Sequence, residues 1–344
     1  MHNEDAPCSE EGTVLLSTLL VLSLMSAVAI ALLATLRLSV ERAATIRDYA
    51  QTDLYAQGAQ DFARLRIEGL AELDGPRQNA ALAAAEPIVL PFENGSITAV
   101  VRDGSHCFRL SDLADAGGRP DPVATARLAR LMGYVWDDPF LGERMAAVAA
   151  DWSDADSETL PGGAEDGVYL SRPLPHRTAN TLMVSESELR ALDGMTEAMF
   201  QALRPHVCIG VLGRPTRFNI DSAQAWHAPV LAALIGGDTA LSDARALIEE
   251  RPDGGYGQID RLLAAPGFGA QARPELDAKT TFAFRPDRVE VEAVIQFGEV
   301  TRARRFAFEG LDVNRPHLSF RDWGRDTFRP DPAIGDTRSE GGLP

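Results

Sequence analysis

Residues 13–36, TVLLSTLLVLSLMSAVAIALLATL, carry no charge. As a helix, about 24 residues span roughly 36 Å, enough to cross a bilayer. A cleaved secretory signal is the rival reading. Its apolar region is shorter, about 7–15 residues, and follows a basic start. Here the preceding residues, MHNEDAPCSEEG, are acidic, so a retained transmembrane helix is expected. The helical pattern continues beyond the membrane. From Arg37 to Leu73 there is no proline, and Leu38, Ala43, Ile46, Ala50, Leu54, Phe62, Leu65 and Leu70 keep a near-helical spacing. Asp74-Gly75-Pro76 then supplies a stop. One helix over 13–74, half in lipid and half in water, is the expectation. Two helices with a break near Arg37 are the alternative.

The chain of 344 residues is 45% hydrophobic, sufficient for one large or two ordinary cores beyond the helix. Its formal net charge of −17 repels phosphate backbones and suits hard cations. Three cysteines are present, Cys8, Cys107 and Cys208, without CxxC or zinc-ligand spacing. Cys107 and Cys208 both follow the apolar run, each beside a strand-like stretch. In an oxidising compartment they pair; otherwise they are two buried thiols.

Residues 88–110 read as a short antiparallel meander, with Asn94-Gly95 and Asp103-Gly104 as turns. From about Asp121 the pattern becomes helical, in VATARLARLMGYVW, FLGERMAAVAADWSDAD and SESELRALDGMTEAMFQALRPHV. A strand-like TRFNI at 216–220 precedes more helix, and 280–308 is β-rich. Beyond about Asn314, Pro, Gly, Asp and Arg dominate, as in a loose tail. The composite is an α+β fold, an antiparallel sheet interrupted by a helical insertion.

The most suggestive chemistry is in DWSDADSETLPGGAEDG, which begins at Asp151. Asp151, Asp154, Asp156, Glu158, Glu165 and Asp166 place six carboxylates within sixteen residues. Gly162-Gly163 lets the second group fold back on the first. Clustered oxygens suit calcium, which takes six to eight of them. The Asp154/Asp156 alternation matches only the start of an EF-hand loop, and a solvated acidic loop remains the plain alternative.

Several stretches together carry a family resemblance. A glycine, Gly12, directly precedes the uncharged helix, the layout of type IV pilins. CFRLSDL at Cys107, DWSDADSETLPGGAEDGVYL, RTANTLMVSESELRALDGM at Arg177 and TRFNIDSA follow in order. The chain from Gly12 to Phe308 resembles the K-type minor pseudopilins of type II secretion. This resemblance implies cleavage by prepilin peptidase between Gly12 and Thr13. It implies a pilin-like sheet with an inserted helical domain, a Cys107–Cys208 disulfide and structural calcium. The calcium ligands would be Asp151, Asp154, Asp156, Glu158, Glu165 and Asp166, with Thr178 and Asn180 as further oxygen donors from a neighbouring strand. Pilins usually carry glutamate as the fifth mature residue; here it is Ser17, as the K type lacks that glutamate. The implied segments are a leader at 1–12, the helix at 13–74 with its transmembrane part at 13–36, and a first core part at 75–117. The insert at 118–206, a second core part at 207–310 and a flexible tail at 311–344 follow. The implied partners are I- and J-type minor pseudopilins, the major pseudopilin, prepilin peptidase and inner-membrane lipid. The head would be periplasmic on a single-pass anchor. Arg37, Arg42 and Arg47 follow the helix while the leader has no Lys or Arg, a charge bias that by itself favours the opposite orientation.

Two other functions were weighed. ELRALDGMTEAMFQALRPHV and ARALIEERPDGGYGQIDRLLAAPGFG resemble helix-hairpin-helix units, which present amides to DNA phosphate. Asp193, Glu197, Glu249, Glu250, Asp253 and Asp260 crowd both, so no nucleic-acid partner is expected. A membrane-tethered hydrolase lacks support, because the six histidines are scattered and neither HExxH, GxSxG nor a P-loop occurs. The expectation is a non-enzymatic assembly subunit.

Overall fold

In the computed structural model, described for residues 11–83, 86–237, 239–268 and 276–322, the N-terminal segment is one helix, α1 (Glu11–Ala71). There is no break at Arg37, and the helix ends three residues before the expected boundary at 74. Its first part stands alone, with Leu16, Leu20, Leu33 and their neighbours exposed. Its second part buries Ala56, Ala59, Ala63, Ile67 and Ala71. Steps of three and four put these small side chains on one stripe, so the helix can lie close against a sheet.

A short helix, α2 (Gly75–Ala83), leads to β1 (Ile88–Phe92) and β2 (Gly95–Asp103). These join β7 (Arg288–Phe297), β8 (Val300–Glu309) and β9 (His317–Asp322) in one antiparallel sheet of order β1-β2-β7-β8-β9. Period two decides the faces. Val289, Val291, Ala293 and Ile295 of β7 and Phe306 and Phe308 of β8 join the α1 stripe in one core. The alternate residues Glu290, Glu292 and Arg305 are also buried, because the opposite face is covered near its top by the helical insert.

That insert starts after β2 and returns at β7. β3 (Phe108–Arg109) pairs in parallel with β4 (Val207–Cys208), and β5 (Phe218–Asn219) pairs in parallel with β6 (Phe282–Ala283). The third strand expected in the meander therefore belongs to a separate two-stranded pair. The helices are α3 (Pro122–Trp136), α4 (Pro139–Ser153), α5 (Asp166–Leu170), α6 (Glu197–Leu203), α7 (Ala228–Ile235), α8 (Leu241–Glu249) and α9 (Ile259–Leu263). Asp121 and Asp138 cap α3 and α4, each just before a proline at the first helical position. Leu128, Leu131, Met145, Val148, Phe200, Leu231 and Leu247 share one core. Helices α7 to α9 thus belong with α3 to α6, and the insert runs well past 206. The reason is apolarity: seven of the eight residues of α7 are buried, which needs helices around it rather than a sheet edge.

The flexible tail expected from 311 is corrected in its first part. Residues 311–313 form a 3-10 turn, and β9 pairs with β8. The alternation His317-Leu318-Ser319-Phe320 turns Phe320 inward beside Ala307. Residues 323–344, and most of the leader with Cys8, lie outside the described residues.

Candidate metal centre

Helix α4 carries Asp151 in its last turn and ends at Asp154, whose N–H donates to the Ala150 carbonyl (2.9 Å). A helix C-terminus repels carboxylates and favours cations. Here two carboxylates stand at that end, and the Gly-Gly turn brings back a third. Asp151, Asp154 and Glu165 each offer an oxygen within 4.8 Å of the others. All three are buried. A Cβ on Gly163 would collide with the Asp151 carboxylate, so glycine is what permits this approach. Asp151 accepts from the Leu160 N–H (3.1 Å). Both carboxylate oxygens of Asp154 and Oε1 of Glu165 have no hydrogen-bond partner among the described residues.

Burial, reinforced by the neighbouring carboxylates, pushes Asp154 up to about 7. Burial likewise lifts Asp151 to about 6 against its hydrogen bond from Leu160, and raises Glu165. Unpartnered buried oxygens of one sign, at the negative end of a helix, are the donor set that a hard cation takes. The donors are all oxygens, as a hard cation requires, so the residues fit calcium.

The other expected ligands divide. Asn180 has a left-handed backbone, and its Nδ2 donates to the Asp156 carbonyl (3.0 Å). Its buried Oδ1 has no hydrogen-bond partner among the described residues. Thr178 Oγ1 donates to Glu165 (3.2 Å) and Asp166 (3.0 Å). Thr178 and Asn180 lie in an irregular segment rather than the expected strand. Asp166 is taken by the Thr178 N–H (3.0 Å) and Arg177 (2.9 Å). Those bonds, the backbone one first, hold its carboxyl below the usual range. Asp156 and Glu158 are exposed, and the Asp156 carboxylate accepts from the Glu158 N–H (2.8 Å). Three of the six carboxylates converge, and the other three do not.

Elsewhere, Cys107 and Cys208 form a disulfide, with Cα atoms 5.7 Å apart. It sits beside the β3–β4 pair at the foot of the insert. Ser17 is exposed on α1, and its hydroxyl donates to the Val14 carbonyl (2.9 Å). Thr13 is likewise exposed, and Gly12 lies within the first turn. The second hairpin unit, between α8 and α9, turns its amides inward. Tyr256 and Gly257 N–H groups donate to the Asp221 carboxylate (2.6 and 2.9 Å).

Sequence reasoning missed the buried ion pairs within the sheet and between it and the insert. Arg109 donates to Asp287 (2.7 Å), Arg288 to Glu309 (2.9 Å) and Glu290 (3.1 Å), and Arg305 to Glu186 (2.8 Å). Arg109, Arg288 and Arg305 are among the largest fully buried side chains. Burial opposes the Arg305 charge, but Glu186 and Glu290 hold its guanidinium protonated well above its usual range. A signal existed in TRARRFAF. Two adjacent arginines in a strand must face opposite ways. Arg304 reaches Asp53 of α1 (2.6 Å), and Arg305 reaches the insert.

Family models described as type II secretion system protein K match residues 106–211 and 218–284. A Klebsiella pneumoniae type II secretion system protein K is 31% identical over 276 residues, covering 78% of this chain and 84% of that protein. Its Pectobacterium carotovorum subsp. carotovorum counterpart is 28% identical over 294 residues, covering 82% and 89%. A chain in the crystal structure of the GspK-GspI-GspJ complex from enterotoxigenic Escherichia coli superposes with a TM-score of 0.70 at 25% identity. The match covers 82% of this chain and 99% of that one. The helix, the sheet with its helical insert and these matches agree: the chain belongs to the type II secretion system protein K family, a family of minor pseudopilins.

Proposed function

We propose that this minor pseudopilin starts or caps the tip of a periplasmic pseudopilus, joined there to I- and J-type minor pseudopilins. Before assembly, residues 13–36 would hold it in the inner membrane with the head in the periplasm. The observation that carries this reading is Ser17, not a carboxylate, in the uncharged, exposed stretch 13–36 of α1. A subunit with no carboxylate there has nothing to offer the terminal amine of a subunit beneath it. The neighbouring structure, a GspK-GspI-GspJ complex, supports the choice of partners. The insert adds width on one side of the sheet, which suits an end position rather than a repeat. Cleavage after Gly12 by prepilin peptidase and contact with the major pseudopilin belong to the same reading. The full chain, purified in detergent with its I- and J-type counterparts, should elute as one complex; separate elution would overturn the assignment. Ser17→Glu should leave membrane insertion intact and disturb placement at the tip. Loss of insertion in that variant would count against the role given to Ser17.

We also propose that Asp151, Asp154 and Glu165, helped by Asn180, hold a structural calcium ion. When bound, the ion supplies positive charge among carboxylates that have no cationic partner of their own. The chain works as an assembly part rather than an enzyme. The occupation of the second hairpin's amides by Asp221 supports a packing role for that unit over nucleic-acid binding.

A further inference from the structure

We infer that the acidic centre and the buried Glu186–Arg305 pair form one device, so that cation binding in the insert fixes the seat of the insert on the sheet. This rests on the calcium reading above. Trp152 lies between Asp151 and Asp154 in the last turn of α4, and its indole N–H donates to Glu188 Oε2 (3.3 Å). The other oxygen of Glu188 accepts from the N–H groups of Val184 (2.8 Å) and Ser185 (3.0 Å), capping the 3-10 turn Glu186–Ala191. The first residue of that turn, Glu186, is 3% exposed and accepts from Arg305 on β8. Arg305 also packs over the Phe320 ring (5.2 Å) and lies 3.8 Å from Asp322, both on β9. Hydrogen bonds, joined by short stretches of chain in α4 and in the 3-10 turn, thus link the acidic centre to β8.

Two observations make this more than a chain of neighbours. Glu186 Oε1 and Arg305 Nε and Nη1 are buried without hydrogen-bond partners among the described residues, so a single short bond joins the pair. A buried pair held by one bond is sensitive to small shifts of the turn that carries it. At the other end, the α4 terminus is held against three like charges until a cation arrives. Ordering that terminus fixes Trp152, which fixes Glu188 and the turn that aims Glu186. Coupling of this kind is reciprocal: if the cation steadies the seat, loss of the seat must weaken the cation by the same factor.

The test uses the full chain in detergent, with calcium affinity by calorimetry and amide exchange on peptides spanning 185–191 and 300–309. Glu186→Met with Arg305→Met removes the pair without leaving a lone buried charge. Glu188→Ala, at a half-buried position, breaks the relay more gently and serves if the double variant does not fold. Calcium should slow exchange in both wild-type peptides, and the variants should bind calcium about five- to tenfold more weakly. Wild-type affinity in a folded variant, or no calcium effect on the 300–309 peptide, overturns the coupling and leaves the calcium reading standing. No calcium binding by the wild-type chain overturns both.

Discussion

Two sets of buried charge lie in this head, and they are built on opposite plans. Around Arg109, Arg288 and Arg305 every guanidinium meets a carboxylate within 2.7–2.9 Å. At Asp151, Asp154 and Glu165 three buried carboxylates meet one another, and oxygens of Asp154 and Glu165 have no partner among the described residues. The first set pairs opposite charges within the chain, and its Arg109–Asp287 and Arg305–Glu186 members tie the insert to the sheet. The second gathers charge of one sign, and on the calcium reading proposed above a cation from outside completes it. The Arg109 and Arg288 pairs should be indifferent to the cation, whereas the acidic centre, and the Glu186–Arg305 pair coupled to it, should follow it.

The largest effect expected is in the closed set. Arg288→Met leaves Glu309 and Glu290 buried without their guanidinium, a loss of about 3–5 kcal/mol. Denaturant unfolding should show it, and added calcium should recover none of it. A recovery would mean that the coupling reaches past the Glu186–Arg305 pair to the sheet's own ion pairs. Next comes the open set: with calcium at a hundredfold excess over its dissociation constant, the thermal midpoint should rise by the equivalent of about 2–3 kcal/mol. A matched Asp154→Ala and Glu165→Ala variant should show no rise. An unchanged wild-type midpoint would remove calcium from the account.

The difference between the sets also explains what could be read in the sequence. The membrane helix, the sheet strands β7 and β8 and the acidic loop announce themselves through local pattern: an uncharged run, period two, and carboxylates close in sequence. The pairs of the closed set that cross from insert to sheet, Arg109 with Asp287 and Glu186 with Arg305, join residues more than a hundred apart, and no local pattern reveals such pairs. The extent of the insert was hidden for the same reason, since α7 packs on α3 across that distance. Within the acidic loop, spacing proposed six ligands but did not separate those that turn inward from those that do not. The separation comes from the chain path: Gly163 admits Asp151, while Arg177 and Thr178 take Asp166. Strand β9 was masked by the Arg- and Pro-rich composition around its alternating core.

The smallest effect is the most discriminating, because it reverses sign with conditions. Burial raises the Asp151 and Asp154 carboxyls to about 6 and about 7 in the folded chain, whereas unfolded aspartate titrates near 3.9. Between those limits the folded state holds more protons than the unfolded one, so stability must fall as pH rises. The calcium-free protein should therefore melt higher at pH 5 than at pH 8, as far as this cluster decides. With saturating calcium the order should reverse, since protons and the cation compete for the same oxygens. Asp154→Asn separates the cluster from the other carboxylates of the chain. In chelator at pH 8 it should raise the midpoint by a few degrees, because a buried charge is removed while the amide oxygen can still accept from the Asp156 backbone N–H. In calcium it should forfeit most of the metal-dependent rise. A variant less stable than wild type in chelator would show that Asp154 already has a partner within the chain, and the contrast between the two sets of charge would no longer hold.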